Sequence, residues 1–160
     1  MVNMLSGRLV HLIESRADEI ISSIISHWRR ESELSHYRDQ MESELREFGQ
    51  DLLRNLGHWL TSGQESEIAA RYEKLGKRRY SANVPLHESV HAFCIMRQRV
   101  LDFVEEHVLN KNSFALYEQE ELDRRLGRFF DVLTIHMVKG YERELRTEIA
   151  CARPGSLTAR

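Results

Sequence analysis

The chain has 160 residues, 41% of them hydrophobic and 30% charged, which fits one ordinary domain with its own core and excludes the low-hydrophobicity regime of disorder. A net charge of −2 gives no global attraction to nucleic acid or to an anionic membrane. Two cysteines, Cys94 and Cys151, make no disulfide framework, so a reducing cytoplasm is the simpler setting; the N-terminus does not read as a secretory signal, and no apolar run is long enough to span a bilayer.

Apolar residues recur at helical spacing almost throughout. The stripe Leu5, Leu9, Leu12, Ile13, Ile20, Ile24 and Trp28 predicts one helix over about residues 3 to 30. Glu31 to His36 reads as a polar break. Met41, Leu45, Phe48, Leu52, Leu56 and Trp59 predict a second helix from about Arg38 to Leu60, with Gly63 suited to a left-handed end. Ile68, Tyr72 and Leu75 mark a third helix, about Glu65 to Tyr80. Ser81 to Val84 is the clearest turn, and Pro85 is expected as the first residue of the fourth helix, where its missing N–H goes unneeded. That helix runs to about Leu109. Asn110 to Ser113 is a polar connection ending in a capping residue.

The last helix is long. Leu122, Leu126, Phe129, Leu133, Met137, Tyr141 and Leu145 keep one apolar stripe for roughly six turns. With Pro154 and Gly155 the pattern stops, so residues 151 to 160 read as a flexible tail or linker. The fold class is therefore all-α: about five helices in a single domain over residues 1 to 150, with no strand required.

The fourth helix carries the most suggestive chemistry. His87, His91 and Cys94 fall at i, i+4 and i+7, within one arc of about 60°. Imidazole and thiolate ligate haem iron or a transition metal, but one helix rarely completes a ligand set. The plainer reading is a helix flank on which Cys94 packs and the histidines are half exposed. Glu33-Leu34-Ser35-His36 and Glu88-Ser89-Val90-His91 share the Glu-x-x-His spacing of di-iron bundles. Glu33 lies at a helix break and no inward-facing lone glutamate completes that set, so the repeat reads as coincidence.

Arg71, Lys74, Lys77, Arg78 and Arg79 form a basic cluster. Without interleaved aromatics it reads as charge complementing a helix C-terminus, not as a nucleic-acid contact. Trp28, Trp59, Phe93, Phe129 and Phe130 read as core before they read as a pocket lining. No catalytic serine elbow, Walker loop or dinucleotide motif occurs.

The stretch from Leu75 to Phe93, LGKRRYSANVPLHESVHAF, resembles the N-terminal domain of RsbRD-type regulators, RsbT co-antagonists of bacterial stressosomes, and related domains ahead of signalling kinases. Ile20 to Trp28 resembles the family's early Ile…Trp element. Phe129-Phe130-Asp131 and Gly140-Tyr141-Glu142 resemble its last helix. The likeness runs in order over about residues 5 to 147. One departure is Asn83-Val84, where a glycine often precedes Pro-Leu. The resemblance implies a cytoplasmic sensory or regulatory domain, dimeric, with a downstream effector or partner protein. Related input domains are similar to globins without haem, so a globin-like arrangement and a plain up-and-down bundle both stay open.

The expected function is a non-enzymatic signal-input domain in bacterial stress signalling, acting by helix packing and homodimerisation, with no membrane or nucleic-acid partner. Leu126, Phe129, Leu133, Met137 and Tyr141 on the last helix are its candidate dimer interface. No resident cofactor is expected; the alternative is a haem- or metal-binding globin-like sensor using His87 or His91, with Cys94 as the thiolate option.

Overall fold

The computed structural model describes residues 7–62, 64–108 and 112–153. Gly63, the Leu109 to Lys111 connection, the first residues of the expected opening helix and the tail from Pro154 lie outside them. The described residues form seven helices and no strand: α1 (Gly7–Ser15), α2 (Ala17–Arg30), α3 (Ser35–Asp39), α4 (Glu42–Ser62), α5 (Glu65–Ser81), α6 (Leu86–His107) and α7 (Ser113–Ala152). The all-α bundle expected from periodicity holds, with two more helices than counted.

One extra helix comes from a break at Arg16. Its ψ of 20° departs from helical geometry, and its guanidinium pairs with both carboxylate oxygens of Glu19 at 2.7 and 2.8 Å. The break lets α1 lean on α4 and α6 while α2 packs on α4 and α6. The apolar stripe continues in phase across Arg16, so periodicity alone joins the two helices. The other addition, α3, fills part of the expected break. Arg29 caps its C-terminal end, donating to the carbonyls of Arg38 and Gln40 at 3.1 and 3.4 Å.

The turn between α5 and α6 is a Schellman closure. Asn83 takes φ 56°, Val84 N–H donates to Arg79 C=O and Asn83 N–H to Tyr80 C=O, each at 3.0 Å. Asparagine tolerates the left-handed region better than most residues with a side chain. Pro85 stands one position before the place expected for it, at the N-cap, where its carbonyl accepts Glu88 N–H at 3.1 Å. At the start of α7, the Asn112 side chain accepts from Ala115 N–H at 2.8 Å.

An aromatic spine crosses the core. Trp28 is fully buried, packs on Tyr37 and Phe48, and donates its indole N–H to the Ala92 carbonyl at 3.2 Å. Phe48 stacks on Phe93, and Tyr72 meets both Phe93 and Phe129 edge-on. Burial pushes the Tyr72 phenol up to about 12, only partly offset by a hydrogen bond from Asn55.

The most extensive contact is between α5 and α7. They run parallel: Glu65 lies near Arg128 and His136, Glu73 near His136 and Arg143, and Lys77 near Glu144. They meet at two glycines. A Cβ on Gly140 would collide with the Glu73 backbone carbonyl, and one on Gly76 with the backbone of Met137 and Tyr141. Backbone cannot move aside as a flexible side chain can. Gly140→Ala is therefore expected to lower stability by about 3 kcal/mol or more, read as the urea midpoint. Gly7, with open space around it, gives the control: Gly7→Ala should stay within about 0.5 kcal/mol.

Candidate functional site

The ligand candidates on α6 face outward. His87 and Cys94 are exposed and His91 is half-buried, with Nδ1 3.6 Å from a Glu33 carboxylate oxygen. No three His, Cys, Asp or Glu side chains converge into a metal-holding group among the described residues. A groove of about 490 Å³ lies instead at the α1–α2 break against α4, where Glu14, Asp18, Leu53, Arg54 and His58 line it. None of the three α6 candidates lines it.

What α6 turns inward is Glu88, only 3% exposed. Its carboxylate accepts from the Ser35 hydroxyl at 2.8 Å and from His36 N–H at 3.0 Å. It thus caps the first turn of α3, where unpaired N–H groups and the helix dipole favour an anion. The two Glu-x-x-His segments do meet, crosswise: Glu33 with His91, and Glu88 with the backbone of His36. The repeat is a structural clasp between α6 and the α2–α3 connection.

Arg79 closes the other side. Its guanidinium lies over the rings of Tyr37 and Phe48, 5.3 and 5.1 Å from their centroids. Of the basic cluster, it alone turns into this polar nest; Arg71, Lys74, Lys77 and Arg78 are exposed. Arg79 Nε, the Tyr37 hydroxyl, the Ser89 hydroxyl and His36 Nε2 are all buried without a protein hydrogen bond, an arrangement suited to internal water. Burial holds the His36 imidazole below its ordinary pKa, and the Arg79 charge adds to this. Burial likewise raises the Tyr37 phenol.

The expected dimer residues on α7 lie within the chain's own packing. Leu126, Phe129, Leu133 and Met137 are fully buried, and Tyr141 is half-buried with its hydroxyl donating to the Val84 carbonyl at 3.0 Å. The α7 stripe identified in the sequence therefore closes the fold as far as Tyr141, whereas Leu145, expected on the same stripe, is exposed. From Leu145 to Ala152 every residue is exposed, so about 12 Å of helix extends past this packing.

A family model described as the RsbT co-antagonist protein rsbRD N-terminal domain matches residues 17–152. The chain belongs to this family. Neither a curated protein nor a solved structure matched it. The rsbRD N-terminal domain is a regulatory domain of signal transduction, and no described helix of this member is long and apolar enough to cross a membrane.

The residues that carry the family likeness hold the parts just described. Gly76 and Gly140 let α5 and α7 touch. Arg79 and Glu88 enclose the polar nest, and Tyr141 ties the turn between them to α7; at that turn Asn83, the departure from the family pattern, takes the left-handed conformation. The match begins at Ala17, so α1 and its side of the groove lie outside it.

The sequence placed Glu88 in a metal-like spacing and Arg79 in a basic cluster, and both in the family-like stretch from Leu75 to Phe93, without giving either a place in the core. The signal that could have found them is positional: Glu88 lies at i+3 from Pro85 on the apolar face that carries Phe93. Removing the clasp should free α3 first. Glu88→Ala is expected to cost about 2 kcal/mol and to speed amide exchange in α3 while exchange across α5 and α7 stays slow.

The His36 shift has a definite sign. The unfolded chain takes up the proton near 6.5, before the folded chain does. Stability is therefore full above that pH and declines as the pH falls below it. His36→Asn should flatten this acid limb in urea midpoints measured from pH 5 to 8.

Proposed function

We propose that this chain is a non-enzymatic signal-input domain of a bacterial stress-response regulator, working in the cytoplasm through helix packing and dimerisation. The carrying observation is the α5–α7 glycine contact, continued by a helix that runs past the packed body. A helix held backbone to backbone cannot adjust by side-chain repacking, so a displacement of α5 is passed to α7 as a shift or rotation of the whole rod. The exposed end of α7 is where a downstream effector or partner would receive it.

The family's description names co-antagonism of RsbT. Carried to this chain, it makes the partner an RsbT-type protein whose action the domain helps to oppose. The haem or metal alternative needs ligands to converge from several elements, and its three candidates lie outward on one helix.

Deleting residues 17–152 in the native host is expected to change the induction of stress-response transcripts by severalfold. Unchanged induction under every stress applied would sink the signalling reading. Purified protein titrated with haemin is expected to leave the Soret band of free haemin unshifted, and metal analysis to find no stoichiometric metal. A shifted, sharpened Soret band that His87→Ala or His91→Ala abolishes would replace this reading with the cofactor sensor.

A further inference from the structure

We propose that the groove at the α1–α2 break binds a small zwitterion, an α-amino acid with an apolar side chain. Binding rests on the groove alone; its use as the domain's input rests on the signalling reading. The register of the helices builds the site. Arg46 on α4 donates to the Ser22 hydroxyl, Gly49 packs against Ile21, and Gly57 lies against the Glu14 carboxylate. Helix α4 therefore runs antiparallel to α1 and α2, which sets Glu14 level with Gly57 and Asp18 level with Leu53 and Arg54. About 490 Å³ stays open between these walls, a volume typical of small-molecule sites.

The two walls differ in charge. Glu14 lies in the last turn of α1 and Asp18 in the first turn of α2; Arg54 and His58 stand one turn apart on α4. Among the described residues no ion pair joins the two walls, and Glu14, Asp18 and His58 have no salt-bridge partner. A carboxylate in the last turn of a helix opposes the helix dipole, so Glu14 gains from a cation that these residues do not supply. An ammonium between Glu14 and Asp18 supplies it. The ligand's carboxylate then meets the Arg54 guanidinium and the His58 imidazole. Arg54 is held by Asp51 at 3.0 Å on the open surface, a pairing weak enough to give way. Leu53 and Ala17 form an apolar floor for the ligand's side chain.

Gly57 makes the hollow. A Cβ there would come 2.8 Å from Glu14 Oε1, so a side chain at this position pushes the carboxylate out of the slot. The slot also spans the break at Arg16. One ammonium held by both Glu14 and Asp18 fixes the angle between α1 and α2. On the opposite wall His58 precedes Trp59, whose indole donates to the Arg125 carbonyl of α7. A ligand shared by both walls draws α1 and α2 toward the helix that is tied to α7. Glu14 precedes the family match at residues 17–152, so the family model does not account for this slot.

Isothermal titration calorimetry of the full chain tests the slot with three probes of one shape: L-leucine, isoamylamine, which lacks the carboxylate, and 4-methylpentanoate, which lacks the ammonium. Leucine is expected to bind one per chain, isoamylamine about tenfold more weakly, and 4-methylpentanoate weakest of all. Glu14→Gln with Asp18→Asn should weaken leucine about tenfold or more, and Arg54→Met should abolish its advantage over isoamylamine. Gly57→Ala should weaken leucine severalfold without lowering the urea midpoint, because the nearest atoms all belong to the flexible Glu14 side chain and alanine favours the helix. No binding of leucine at about 10 mM, or binding indifferent to all these substitutions, overturns the slot. Isoamylamine binding as tightly as leucine overturns the zwitterion. Leucine binding in a protein whose loss leaves host induction unchanged removes only the signalling reading; a host phenotype without leucine binding removes only the slot.

Discussion

The close approach of Gly76 and Gly140 is the constraint on which the rest of this fold depends. Where two helices touch through their backbones, the axes come nearer than the 8–10 Å usual when side chains intervene, and their relative rotation is set by main-chain shape. That contact fixes α7 along α5. With α7 in place, Phe129, Leu133 and Met137 are aimed into the centre, and Tyr141 reaches the Val84 carbonyl that closes the α5–α6 turn. The turn then aims α6, whose Glu88 caps α3. A chain of specific contacts thus leads from the longest helix to the shortest one.

The two ends of that chain differ in character. At the glycines backbone lies directly against backbone, and a change of one methyl group has nowhere to go. Around Arg79 and Glu88 the groups are polar, buried and incompletely paired within the protein. A buried polar nest specifies geometry strongly when its bonds are made and weakens sharply when one is lost. The molecule therefore combines a stiff coupling between α5 and α7 with a more yielding clasp at α3.

Much of this was legible in the sequence. Helical periodicity located α5 and α6 closely, since the Asn83 turn ends the one and Pro85 introduces the other, and it located α4 to within a few residues. The break at Arg16 was not legible, because Leu12, Ile13 and Ile20 keep one phase across it and only tertiary contact with α4 and α6 favours the bend. Helix α3 was hidden because its five residues carry too little periodicity; it is stabilised by a carboxylate 53 residues away. His87, His91 and Cys94 share a face as spacing requires, but spacing does not say which side of a helix is wet. The stripe from Leu126 to Tyr141 was visible as apolar, yet nothing local distinguishes a stripe that meets its own chain from one that meets another.

The two tryptophans both donate to backbone carbonyls, but across different helix pairs. Trp28 joins α2 to α6 through Ala92, and Trp59 joins α4 to α7 through the Arg125 carbonyl at 3.2 Å. Each indole thus reports on one helix junction. The protein carries a pair of intrinsic fluorophores, and variants that keep one tryptophan at a time would tell loosening around α6 from movement of α7 without any label being added.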